Sequence, residues 1–123
     1  MVVFDTNIVI SIFNGHSESI QLFEKIRTES QIGLSIISLV EIYSGAQSRD
    51  LKKIRSAISD LTILPFDQPE IAEMAASYRR DFHITTPDAI ILATCAMGPH
   101  HFYTYDKELK KIKKSWVHIL SFS

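Results

Sequence analysis

Val2-Val3-Phe4-Asp5-Thr6-Asn7-Ile8-Val9-Ile10-Ser11-Ile12-Phe13 is the stretch whose reading decides the fold. Val2 to Phe4 is apolar at every position, the pattern of a short strand buried on both faces. Thr6 to Phe13 then reads as a short apolar helix, which Asn14-Gly15 would stop. A doubly buried strand feeding straight into a helix suits a parallel sheet covered on both sides. The acid at the junction, Asp5, then lies at the carboxyl end of a strand, where such sheets bind ligands.

The rest of the chain repeats this alternation. Glu18 to Glu29 is amphipathic, and Ile32 to Ile37 reads as a second strand. Ser38 would open a helix to about Ala46, and Leu51 to Leu61 would form another. Thr62 to Leu64 is a third strand, stopped by Pro65. Pro69 to Phe82 is helical, and Thr86 to Met97 is a helix apolar almost all round, hence deeply buried. His101 to Thr104 is the fourth strand, Lys107 to Lys114 a basic helical stretch, and Val117 to Leu120 the fifth strand. The expected architecture is one α/β domain over residues 1–123, with a central parallel sheet of about five strands and right-handed crossovers.

Composition narrows the function classes. The 123 residues are 46% apolar, enough for one core and unlike a disordered chain. The formal net charge of -1 offers no overall basic field, so any nucleic-acid contact must use a local patch. A lone cysteine, Cys95, excludes an intramolecular disulfide and suits a reducing compartment; it reads as a small core residue. The start of the chain does not read as a signal peptide, and no apolar run is long enough to cross a bilayer, so the expected location is the cytoplasm.

Of the fourteen acidic residues, four stand out by place. Asp5 follows the first strand, Glu41 falls in the first turn of the helix after the second, Asp88 in the first turn of the buried helix, and Asp106 two residues past the fourth strand. A parallel sheet would gather them on one edge. Each also has a plain structural reading. Ser38-Leu39-Val40-Glu41 fits a capping box. Thr86-Pro87-Asp88 fits an ordinary helix start with Thr86 as cap, and Asp5 and Asp106 fit N-caps. Capping alone does not explain why Asp5 and Asp88 sit in strongly apolar sequence with no nearby Lys or Arg. Two carboxylates about 4 Å apart repel by roughly 4 kcal/mol at an effective dielectric near 20. A cluster therefore requires a cation or bound protons. All-oxygen donors with no neighbouring His or thiolate suit Mg²⁺ or Mn²⁺, and such an ion can activate water and shield a phosphate.

The motifs Phe4-Asp5-Thr6-Asn7, Ser38-Leu39-Val40-Glu41-Ile42-Tyr43-Ser44-Gly45, Thr86-Pro87-Asp88-Ala89-Ile90-Ile91-Leu92-Ala93 and Thr104-Tyr105-Asp106-Lys107-Glu108-Leu109 span nearly the whole chain. In this order they resemble the PIN-domain family, and within it the VapC-type toxins of toxin–antitoxin pairs. The resemblance implies a parallel sheet of strand order 3-2-1-4-5. Asp5, Glu41, Asp88 and Asp106 would be the metal-binding carboxylates of a Mg²⁺- or Mn²⁺-dependent endoribonuclease. Thr6, Asn7 and Thr104 would orient ligands or water from behind them. The reaction implied is hydrolysis of an RNA phosphodiester by activated water, leaving a 5′-phosphate. A homodimer and a small antitoxin partner are implied as well. The family often has a small-residue turn before the fourth strand, where this chain has Met97-Gly98-Pro99-His100-His101.

Lys107, Lys110, Lys111, Lys113 and Lys114 crowd the stretch beside Asp106. The plain reading is a solvated face. The functional one is a track for RNA phosphates, chiefly Lys107, Lys110 and Lys111, next to the acidic centre. His83, His100 and His101 read as loop or strand residues, and Tyr43, Tyr103 and Tyr105 as packing residues. The apolar face of Ile8, Val9, Ile12 and Phe13 exceeds what one core needs and suggests an interface. Two other functions stay open: a PIN nuclease that processes RNA without a toxin role, and a phospho-acceptor receiver domain. The receiver would need an aspartate directly after the third strand. Here Leu64-Pro65-Phe66-Asp67 displaces it, and stable acyl-phosphate formation would be its signature.

Overall fold

The structure, a computed structural model, describes residues 1–121. The expected domain range of 1–123 includes two residues that lie outside the described ones. Five parallel strands, β1 (Val2–Phe4), β2 (Ile32–Ser35), β3 (Thr62–Leu64), β4 (His101–Thr104) and β5 (Val117–Ile119), form one sheet in the order β3-β2-β1-β4-β5. Six helices connect them: α1 (Thr6–Phe13), α2 (Ser17–Arg27), α3 (Ile36–Gly45), α4 (Leu51–Ile58), α5 (Pro69–Phe82) and α6 (Thr86–Met97). The strand order is the expected one.

Alternation along the strands divides the core in two. Val2 and Phe4 join Ile8, Val9, Ile26, Leu34, Ile42 and Ile54 on the face covered by α1 to α4. Val3 points the other way, into a cluster with Ile91, Leu92, Cys95 and Phe102 against α5 and α6. Both faces of β1 are thus covered, which is why its sequence has no polar alternation. Gly33, in β2, allows this close stacking, since a Cβ there would stand 2.7 Å from Met1 Sδ. Helix α1 ends as read: Asn14 is its C-cap, and Gly15 takes φ +79, which only glycine adopts without strain.

Several boundaries differ from the sequence reading. Strand β2 stops at Ser35 rather than Ile37, and Ser35, not Ser38, caps α3 by accepting a hydrogen bond from the Ile37 amide at 3.1 Å. The capping box of Ser38 with Glu41 therefore does not form, and Glu41 lies in the second turn of α3. Helix α6 is capped by Thr85 in place of Thr86, so Pro87 takes the second helical position. That cap was legible as Thr85-Thr86-Pro87-Asp88, a hydroxyl three residues before an acid. The helix read over Leu51 to Leu61 is α4, which ends at Ile58 and is preceded by a short 3-10 turn at Ser48–Asp50. The basic stretch is a 3-10 turn at Lys107–Lys111 rather than a helix to Lys114, and β5 ends at Ile119. At the starts of α3 and α6 the competing signals were nearby hydroxyls that serve as caps equally well. No helix among the described residues is long and apolar enough to cross a membrane.

Candidate metal centre

Register places the site. Strands β1 and β4 run side by side with Phe4 opposite Tyr103, so Asp5 emerges beside Thr104 at the carboxyl edge of the sheet. The Asp5 carboxylate is 7% exposed and fully engaged. Its Oδ1 accepts from the Thr6 amide at 2.8 Å, which is the N-cap expected of it. Its Oδ2 accepts from the Thr104 hydroxyl at 2.7 Å and from the Asn7 side-chain amide at 3.4 Å. Asp5 is therefore both an N-cap, through Oδ1, and a buried acid whose Oδ2 is held by side chains.

Around it lies a polar scaffold built from distant segments. Thr104 is fully buried; its hydroxyl accepts from Asn7 Nδ2 at 3.2 Å and from the Asp106 amide at 3.0 Å. Asn7 Oδ1 in turn accepts from the Tyr105 amide at 3.2 Å. The Thr6 hydroxyl donates to Glu41 Oε1 at 3.0 Å, drawing the exposed Glu41 towards Asp5 from α3. Asp106 caps the 3-10 turn through the Glu108 amide at 3.0 Å. The three residues expected to orient ligands, Thr6, Asn7 and Thr104, thus each touch an acid or the residue holding one. Sequence reasoning missed a deeper brace: the Tyr105 hydroxyl meets the buried Ser19 Oγ at 2.6 Å and ties this loop to α2.

Electrostatics shows that the four acids sense one another. Burial pushes the Asp5 pKa from 3.8 up to about 6; its hydrogen bonds from Thr104 and Thr6 oppose the rise, and the charges of Asp88 and Glu41 add to it. Asp88, half-buried rather than deeply buried, is also raised, first by burial and then by the charges of Asp106 and Glu41. No cation offsets this: among the described residues the ion pair present is Arg27 with Glu24, on α2. A folded pKa raised above the unfolded one means that Asp5 favours folding below pH 3.8. That contribution is lost as pH rises through about 6. At neutral pH the cluster works against the fold.

The residues fit a divalent ion by donor chemistry: carboxylate and hydroxyl oxygens only, in excess negative charge, with a buried carboxylate at the centre. They do not form a closed cage. Among the described residues no three His, Cys, Asp or Glu side chains stand together as a ready-made ligand set. Mg²⁺ suits such an open arrangement, since it keeps several waters and takes only one or two direct carboxylates. The candidate lysines Lys107, Lys110 and Lys111 are exposed on the turn that Asp106 caps. Elsewhere Cys95 is fully buried and its thiol is pushed up to about 12 by burial, as expected of an inert core cysteine.

The fold agrees with what the chain is similar to. Residues 2–115 match the PIN domain. The chain belongs to the PIN domain family, whose members are nucleases. Its fold is of the VapC type. A chain of a toxin–antitoxin complex from Klebsiella pneumoniae superimposes with a TM-score of 0.82 and 30% identity, covering 97% of this chain and 100% of that one. A chain of VapBC2 from Rickettsia felis, bound to a promoter DNA fragment, gives 0.82 with 19% identity over 100% of both chains. One from the DNA-bound VapBC of Salmonella typhimurium gives 0.74 with 21% identity, over 97% and 96%. No curated protein matches the chain.

Proposed function

We propose that this protein is a Mg²⁺- or Mn²⁺-dependent endoribonuclease, one PIN domain over residues 1–123, that acts in the cytoplasm as the toxin of a toxin–antitoxin pair. The observation that carries the reading is Asp5: a buried carboxylate with raised proton affinity, facing the charges of Asp88 and Glu41 and paired with no cation. Asp5 and Asp88 would hold the ion directly, and Glu41 and Asp106 directly or through water. When bound, the ion would lower the pKa of a coordinated water and shield the phosphate. Thr104 and Asn7 hold the Asp5 carboxylate in one orientation, so that it would be preorganised to hold an ion. Lys107, Lys110 and Lys111 would draw the RNA backbone to the acidic mouth.

The test is cleavage of single-stranded RNA after metal removal. EDTA is expected to abolish cleavage, and Mg²⁺ or Mn²⁺ to restore it with 5′-phosphate ends. Cleavage that persists in EDTA, or ends carrying 2′,3′-cyclic phosphate, would remove the metal-hydrolysis mechanism.

Two apolar surfaces support the partners. Ile10, Phe13, Ile42, Ala46 and Ile54 line a cavity of about 330 Å³ between α1, α3 and α4, and its charged lining is Arg49 and Lys53 against Asp50. It suits an antitoxin segment with apolar anchors and an acidic flank. Separately, Ile36 and Val40 are exposed four residues apart on α3, 38% and 58% exposed. They give α3 an exposed apolar face. A homodimer would bury it. Replacing both Ile36 and Val40 by Glu is expected to leave the fold intact and give a monomer by light scattering. A dimer that survives both charges must use another face.

A further inference from the structure

Tyr105 stands between Thr104 and Asp106, the two residues that this loop brings to the carboxylate centre, and it is held at both ends. Its amide donates to Asn7 Oδ1 at 3.2 Å, and its hydroxyl meets Ser19 Oγ at 2.6 Å. Ser19 is fully buried on α2, and its Oγ also stands 2.9 Å from Ser11 Oγ and 2.9 Å from His16 Nδ1. A serine hydroxyl has one hydrogen to give. Ser11 and His16 already compete for it, because His16 Nδ1 accepts from the Ser19 amide and so has no hydrogen of its own to offer. The phenol is therefore the donor of the third contact. It fastens the loop after β4 to an oxygen that α1 and α2 have already fixed.

The bond at the other end reaches Asp5. Asn7 Nδ2 donates to Asp5 Oδ2 at 3.4 Å and to Thr104 Oγ1 at 3.2 Å. The two ends of a side-chain amide are alike in shape, so packing does not choose which one faces the carboxylate. The Tyr105 amide makes the choice. A donor at that point needs Oδ1 opposite it, which turns the NH₂ towards Asp5. With the Asn7 amide reversed, an oxygen would face the carboxylate and two N–H groups would face each other. On its other side Tyr105 leads to Asp106, whose amide donates to Thr104 Oγ1 at 3.0 Å. We infer that Tyr105 is a positioning residue of the carboxylate centre: anchored on Ser19, it holds its own amide where Asn7 must present its NH₂ to Asp5, and it keeps Asp106 against Thr104. The inference rests on the nuclease reading and adds to it a residue that touches no substrate.

Tyr105→Phe isolates the anchor. Phenylalanine keeps the ring in the core, and Ser19 keeps Ser11 and His16, so the change strands no buried group. Its effect should be local. The experiment measures amide hydrogen exchange on the metal-free protein, then kcat and KM for RNA in Mn²⁺, for wild type, Tyr105→Phe, Ser19→Ala, the double variant and Asp5→Asn. In each single variant, protection of the Tyr105 and Asp106 amides is expected to fall about tenfold while that of Leu92 in the core of α6 holds. The kcat should fall about tenfold with KM near its wild-type value. The double variant should lose no more than either single one, because both remove the same bond. Unchanged protection at Tyr105 and Asp106 in Tyr105→Phe overturns the inference. So does an equal fall at Leu92, since the phenol would then only hold the fold, and so does a double variant whose losses multiply. Wild-type kcat in Tyr105→Phe beside an inactive Asp5→Asn overturns the inference alone, whereas full cleavage by Asp5→Asn overturns the nuclease reading itself.

Discussion

Asp5→Asn is expected to destroy cleavage and, in the absence of metal, to make the protein more stable at neutral pH. The two effects share one cause. With a pKa near 6 in the fold against 3.8 for an ordinary aspartate, an ionised Asp5 costs the native state about 3 kcal/mol above pH 7. Asparagine removes the charge but keeps one oxygen for the Thr6 amide or the Thr104 hydroxyl. It therefore forfeits one of two close hydrogen bonds, at 2.8 and 2.7 Å. The net gain should be about 1–2 kcal/mol. Urea unfolding in EDTA reads it: the variant should exceed wild type at pH 7.5 and lose that advantage by pH 4, where Asp5 is protonated. Equal stability differences at both pH values would mean that Asp5 is not strained by its burial. The activity loss should reach about 10²–10³-fold or more, because the variant lacks the negative charge that the proposed ion would take from Asp5.

Thr104→Val has the second largest effect, and it acts on the same carboxylate from behind. Valine matches threonine in shape, so no cavity opens; what vanishes is a buried hydroxyl with three partners. Asp5 Oδ2 loses its donor at 2.7 Å, and Asn7 Nδ2 and the Asp106 amide lose their acceptor at 3.2 and 3.0 Å. Unsatisfied groups at a fully buried position should cost about 2–4 kcal/mol in chemical denaturation. The Thr104 hydrogen bond is also the strongest influence holding the Asp5 pKa down, so its loss raises that pKa further. The acid limb of the pH–rate profile is accordingly expected to move to higher pH, with kcat down by about 10–100-fold. An acid limb that stays in place would show that Thr104 does not set the ionisation of Asp5.

The order of strands and helices, the burial of β1 on both faces and the candidacy of the four acids were legible in the chain, because hydrophobic periodicity and the acid after each strand are local signals. Asp5 was readable as a cap and as a buried acid, and it is both. Local signals could not choose among adjacent hydroxyls. Ser35 and Ser38, like Thr85 and Thr86, are equal candidates until the sheet fixes where each strand must end. That choice placed Glu41 in the second turn of α3. The pairing of Phe4 with Tyr103, which sets Asp5 against Thr104 across 99 residues of chain, is likewise a product of sheet register. The sequence by itself determined which elements form and which acids end them, since each depends on neighbours within a few residues. Only the tertiary structure decided which oxygens share a charge and which hydroxyl supports them, because burial and Coulomb repulsion act through space between segments that the chain keeps far apart.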